Sequence, residues 1–173
     1  MGVKQARALW IIVFLSTMIL DQVVKALTRL YIPLGGHGPD VIPSVIGLRH
    51  AENFGVAFGQ LQGWGVYLAP VAIIIAGLAL RHTWKHPEDS KWVHVSMALL
   101  ASGALGNMID RVVRGKVTDM FEFQFFVFPV FNIADACISV AALILIIAWG
   151  KIDKKAQPEP EPAPVELETP PAV

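Results

Sequence analysis

Four long apolar segments constrain this chain more than any other feature. They cover residues 8–27, 64–80, 93–112 and 133–149. Each approaches the ~20 residues a helix needs to cross a hydrocarbon layer ~30 Å thick. Lipid offers backbone amides no outside partner, so a spanning segment must satisfy its own hydrogen bonds, as a helix does. Strands of a membrane barrel would alternate apolar and polar residues over about ten positions. These segments are continuously apolar instead. The pattern predicts an all-α integral membrane protein with four transmembrane helices. A small extracytoplasmic β-rich segment and an interfacial aromatic segment complete the predicted fold.

Composition agrees. Of the 173 residues, 54% are hydrophobic and 16% charged, and mean hydropathy is +0.55. Fourteen basic residues balance fourteen acidic ones, so no charge excess points to nucleic acid. The single cysteine, Cys137, excludes an intramolecular disulfide and reads as a small buried apolar residue. The five histidines read as scattered, with no pair at metal-ligand spacing. No metal or cofactor is expected.

Lys4 and Arg7 precede the first segment like the basic start of a signal peptide. No small-x-small cleavage site follows, so an uncleaved first helix is expected. Eight of the fourteen Lys and Arg residues fall on one side of the four spans: Lys4, Arg7, Arg81, Lys85, Lys91, Lys151, Lys154 and Lys155. The positive-inside tendency then puts both termini in the cytoplasm.

Residues 28–63 join spans one and two. Gly35-Gly36, Pro39 and Pro43 mark turns, and Val, Ile and Phe mark short strands. A small sheet on the outer surface is expected there. Between spans three and four, FEFQFFVFPVF is too aromatic for a solvated loop and belongs in the membrane interface. From residue 153 onward six of the twelve prolines alternate with Glu and Ala. Residues 1–152 therefore read as the membrane domain, and 153–173 as a disordered cytoplasmic tail.

This topology carries distant polar residues to one leaflet. Asp21, Gln22 and Lys25 end span one; Asn107, Asp110 and Arg111 end span three; Asn132 and Asp135 open span four. Asn53 and Asp119 lie in the outer connections. A carboxylate at a membrane boundary is costly. Two at one boundary can divide their protonation states, one neutral and one ionised.

Each group also has a structural explanation. Asp21 and Lys25 have helix ion-pair spacing, which accounts for them without catalysis. Asn107 with Asp110, and Asn132 with Asp135, are each three apart and share a helix face. The asparagines could bridge helices, Asp110-Arg111 could cap span three, and Gly103 and Gly106 suit close helix packing. A proton-coupled transporter also uses intramembrane carboxylates, but would place them near the midplane.

DQVVK, ENFGVAFG, SGALGNMIDRVVRGKVTDMF and FNIAD occur in this order, over residues 8–150. In that order they resemble the lipoprotein signal peptidase family, the bacterial type II signal peptidases. The resemblance implies an aspartic endopeptidase of the inner membrane whose catalytic pair is Asp119 and Asp135. It implies that Asn53, Asn107, Asp110, Arg111 and Asn132 bind or shape around that pair. It further implies a prolipoprotein substrate carrying diacylglycerol on its cysteine, cut just before that residue. Phe54, Val56 and Met120 depart from the usual pattern, and none of them removes a carboxylate. Membrane lipids are the expected surroundings, and a monomer is expected because four helices can enclose the pocket.

Overall fold

The computed structural model describes the backbone of residues 1–55 and 65–156, and the side chains of that set except 65–66 and 149–156. Four helices dominate: α1 (Val3–Tyr31), α2 (Ala69–Lys85), α3 (Lys91–Arg114) and α4 (Ile133–Ala156). Strands β1 (Ile46–Asn53) and β2 (Val117–Phe123) lie in the first and third connections, and a 3-10 turn (Gly65–Leu68) leads into α2. By length and composition α1 and α3 suffice to cross a membrane, and Ile133–Ala148 is a shorter apolar helix. Helix α4 continues to Ala156, so residues 153–156, expected in the tail, are helical. Residues 157–173 lie outside the described set.

Helix α3 is the axis of the bundle, with α1, α2 and α4 all packed against it. Its buried face carries Ala98, Ala101, Gly103, Ala104 and Gly106. Small side chains let neighbouring backbones approach, which is how helices associate where lipid removes the hydrophobic drive. The approach is closest at Gly103. A Cβ there would stand 2.5 Å from Ala134 O and 2.7 Å from Ile138 Cγ1. At Gly106 it would meet Asp21 Oδ2 at 2.8 Å. Outward faces are apolar instead: Ile12, Ile73, Leu78, Leu143 and Ile146 are all exposed.

The two ends of the bundle differ in chemistry. At one end Trp10 stacks on Phe14 at 4.8 Å and meets Trp84 edge-on at 5.8 Å, with Arg7 over the Trp84 ring. His82 on α2 and His86, the residue that caps it, bring their rings within 5.0 Å, a pair not noted in the sequence. His82 contacts Asp89 and His86 contacts Glu88. Among the described residues no group of three donors could hold a metal.

The sheet sits at the other end. Strands β1 and β2 are antiparallel, with Leu48 opposite Phe121 and Ala51 opposite Asp119. Two β1 residues, Arg49 and His50, therefore oppose one of β2, Met120, a bulge that bends the strand. The expected sheet within residues 28–63 is thus corrected: each connection supplies one strand. Residues 35–38 bond the free edge of β1, through Gly35 N to His50 O and Gly38 N to Leu48 O. A further bridge ties the chain just before α4 to β2. Phe131 O accepts from Met120 N and Phe121 N, and Phe131 N donates to Phe121 O. This bridge fixes the start of α4 against the strand that carries Asp119.

Candidate active site

Helix α1 places a stripe of polar residues, Asp21, Lys25 and Thr28, against α3. Lys25 is fully buried. Its Nζ lies 2.9 Å from Asp21 Oδ2 and 3.3 Å from Asp110 Oδ2, and donates to Asn107 Oδ1 at 3.0 Å. A buried ammonium is tolerable only when paired and fully hydrogen-bonded, and these three acceptors match its three protons. Asp21 Oδ1 accepts from Ala134 N at 2.9 Å, linking α1 to the first turn of α4. Asp110 Oδ2 accepts from Thr118 N at 3.1 Å, so it anchors β2. The cap of α3 is Gly115, whose φ of 73° suits glycine, so Asp110-Arg111 is not the capping pair.

Asn107 carries this network to the carboxylates. Its Nδ2 donates to Asp135 Oδ1 at 2.7 Å. Asn132 precedes α4 and caps it: its Oδ1 accepts from Asp135 N at 2.9 Å, and its own N–H faces Asp135 Oδ2 at 3.3 Å. This reciprocal arrangement is a capping box. It corrects the expectation that Asn132 shares a helical face with Asp135. Asn132 Nδ2 is thereby turned toward Asp119 Oδ1, at 2.6 Å, and Asn107 Oδ1, at 3.1 Å. The chain Asp119–Asn132–Asn107–Asp135 is continuous.

Asp119 is 4% exposed. Burial, and then the charge of Asp135, push its carboxyl up to about 7; hydrogen bonds from Asn132 and Asn53 and the charge of Lys25 oppose the rise. Asn53 Oδ1 also accepts from Gly55 N, and Arg111 Nη2 donates to Gly55 O at 3.3 Å. Val56 lies outside the described residues. Met120 is fully buried, while Phe54 is exposed with Lys116 Nζ 5.4 Å from its ring centre.

Both carboxylates face one cleft of about 710 Å³, within the range usual for small-ligand sites. Asn53, Asn107 and Arg111 share its polar wall. Leu68, Val71 and Ile75 from the 3-10 turn and α2, with Ile138 and Val140 from α4, make the rest apolar. Phe123, Phe128 and Phe131 close it at the sheet end.

The structure thus brings together the candidate site residues Asp21, Lys25, Asn53, Asn107, Asp110, Arg111, Asp119, Asn132 and Asp135. Asp21 and Lys25 stand behind the site rather than in the cleft. Two participants, Arg29 and Thr118, were missed, and Gln22 was placed at the end of span one without a role. Gln22 Nε2 donates to Asp21 Oδ2 and Gly106 O, Arg29 Nη1 to Thr118 Oγ1, and Thr118 is itself buried. Only Gln22, adjacent to Asp21, carried a sequence signal.

Comparison with known proteins gives the family. A family model described as signal peptidase (SPase) II matches residues 13–150. The lipoprotein signal peptidase of Streptococcus pneumoniae is 38% identical, over 84% of this chain and 94% of its own length. That of Lactiplantibacillus plantarum is 36% identical, over 80% and 92%. A solved bacterial membrane enzyme superposes with a TM-score of 0.80 at 30% identity, covering 87% of this chain and 92% of its own. A second gives 0.72 at 32% identity, covering 81% and 91%. By motif order, fold and sequence likeness, the chain belongs to the signal peptidase II family, and the solved structures it resembles are bacterial membrane enzymes.

Proposed function

We propose that this protein is a membrane aspartic endopeptidase that removes the signal peptide from diacylglyceryl-modified prolipoproteins, cutting just before the lipidated cysteine. The observation that carries the reading is the pair of carboxylates, Asp119 from β2 and Asp135 from α4, facing one largely apolar cleft and joined through two asparagines. In this reading all four helices span the inner membrane, both termini are cytoplasmic, and the cleft lies at the outer leaflet. A single chain suffices, since α2, α3, α4 and the sheet line the cleft.

The chemistry follows from the geometry. One carboxylate, ionised, accepts a proton from a water that attacks the scissile carbonyl carbon. The other, protonated, donates to the carbonyl oxygen, and a proton then passes to the departing amine. Two coupled carboxyls do not both ionise readily, so the pair holds one proton near neutral pH. Arg111 borders the cleft, where its charge favours the ionised member of the pair. The substrate is itself membrane-anchored, which delivers the scissile bond to the depth of the pair.

The test is direct. Purified protein in detergent, mixed with a diacylglyceryl-modified prolipoprotein, should convert it to the faster-migrating cleaved form. Asp119→Asn and Asp135→Asn should not. Cleavage by either variant at the parental rate would end the proposal.

A further inference from the structure

We propose that Lys25 is a positioning residue for the pair: by fixing the Asn107 amide it holds Asp135 as the ionised base and leaves the shared proton on Asp119. The inference rests on the dyad reading above and names which member plays which part.

The argument begins with donors that cannot accept. Lys25 Nζ offers only protons, so the Asn107 atom 3.0 Å from it must be the oxygen. Asn107 then presents its NH₂ group to Asp135 Oδ1 at 2.7 Å. The backbone N–H of Asp135 likewise forces Asn132 to turn its oxygen toward α4 and its NH₂ toward Asp119. Neither amide is free to flip while these two donors stand.

The two carboxyls are then unequal. Asp135 receives donors on both oxygens, Asn107 Nδ2 on Oδ1 and Asn132 N on Oδ2. It also opens α4, where the helix dipole favours a negative charge. Asp119 also accepts from two side chains, Asn132 and Asn53, but it sits in a strand, which has little net dipole. Its elevated value of about 7, set first by burial, agrees with its keeping a proton. The charged groups around Asp135 are Lys25, Asp21 and Arg29 on α1, Asp110 and Arg111 on α3, and Asp119 on β2. Helix α2 brings none before Arg81. Lys25 is the one among them bonded to the amide that Asp135 accepts from.

Without Lys25 the Asn107 oxygen keeps only the neutral Asn132 Nδ2 donor at 3.1 Å, and an Asn107 that turned its oxygen to Asp135 would demand a protonated carboxyl. Removing Lys25 alone strands Asp21 and Asp110, so the test variant is the charge-balanced Asp21→Asn/Lys25→Met, in which Arg29 still faces Asp110 at 3.9 Å. Its profile of kcat/KM against pH should keep the alkaline limb and lose activity earlier on the acid side. The acid limb should move toward neutral by about one unit, the size expected from losing one hydrogen bond to a charged carboxylate. A folded double variant with both limbs unmoved and turnover lowered evenly would show a merely structural Lys25 and overturn the proposal.

Infrared spectroscopy of the intact protein gives a second readout that does not depend on the double variant folding. At about pH 6, below the elevated value of Asp119, the band of a protonated carboxyl should vanish in Asp119→Asn and persist in Asp135→Asn. The reverse pattern would overturn the assignment. Failure of the dyad itself would look different: turnover would survive in one of these single variants.

Discussion

At the scale of single residues, Asp119 and Asp135 carry the sharpest expectations. An amide keeps the shape of a carboxyl but cannot exchange a proton near neutral pH. Asp119→Asn and Asp135→Asn should each cost at least ~10²-fold in turnover, the low end for one general acid or base. Because acid and base act as a unit, the double variant should be little worse than either alone. Asp21→Asn should retain partial activity, since Asp21 faces Lys25 and Ala134 rather than the cleft. Turnover above about a tenth of the parent in either Asp119→Asn or Asp135→Asn, outside the range for such a group, would refute the assignment. The elevated value of Asp119, about 7, also has a sign for stability. The folded protein binds that proton more tightly than the unfolded chain, so its contribution is full at low pH. It is lost as pH rises from the usual carboxylate value through about 7. Asparagine does not titrate. The Tm of Asp119→Asn minus that of the parent should therefore grow between about pH 5 and pH 8, and a shrinking difference would contradict the buried environment. Asp119, Asp135, Asn107 and Asp110 were legible because polar residues beside apolar runs are expensive and stand out. The capping role of Asn132 was not, because residues three apart share a helix face only when both are in the helix. Arg29 and Thr118 were invisible as partners, being 89 positions apart.

At the scale of elements, the close approach of α3 to α4 sets the aim of Asp135. Gly103→Ala would drive a methyl group against Ala134 O and the Ile138 side chain. Backbone cannot yield as a flexible side chain can, so the first turn of α4 must shift. Overpacking of this kind costs about 1–3 kcal/mol. The variant should melt earlier and also turn over more slowly, because the shifted turn includes Asp135. Gly77→Ala is the control: a Cβ there meets nothing within 4 Å. In mid-helix, alanine is favoured over glycine by about 1 kcal/mol, so Gly77→Ala should be neutral or stabilising. Equal effects from the two substitutions would show that the α3–α4 contact does not set the site. The helices themselves were readable from hydropathy, with ends misplaced by a few residues because capping and not hydropathy stops a helix. The sheet was only half readable. Strand β1 lay among turn signals but holds one β-branched residue, Ile46, and its partner came from the far side of two helices. An aromatic run reads equally well as an interfacial loop, and the pairing of Ala51 with Asp119 is non-local.

At the scale of the whole molecule, the bundle has one polar end and an apolar outside, and the proposed topology puts that end at the outer leaflet. Cysteines at the exposed positions Lys4 and Leu34, with Cys137 replaced, would test it in intact cells. A membrane-impermeant thiol reagent should label Leu34→Cys and spare Lys4→Cys. Labelling of Lys4→Cys from outside would overturn the orientation.

In the proposed function, a dependence on the substrate's lipid is expected from the same architecture. The cleft is about 710 Å³ and mostly apolar, and its polar groups are concentrated at the carboxylates. Few donors or acceptors remain to grip a peptide by its sequence. The neighbouring Phe125, Phe126 and Phe128 form a ring cluster with Phe123 and are themselves exposed. An acyl chain leaving the bilayer for such a surface trades one apolar environment for another, so transfer contributes little free energy. What the lipid can supply is registration: an anchored chain beside Phe123 and Phe128 fixes how far the scissile bond stands from Asp119 and Asp135. Binding from remote groups that orients the reacting bond appears in kcat, not only in KM. The unmodified precursor should therefore be cleaved at least ~10²-fold more slowly, the scale of loss when a reacting bond is misplaced by about 1 Å. The deficit should lie mainly in kcat at saturating precursor. Equal turnover of modified and unmodified precursor would refute the role of the lipid, and a loss confined to KM would mean that it serves as an anchor without aligning the bond.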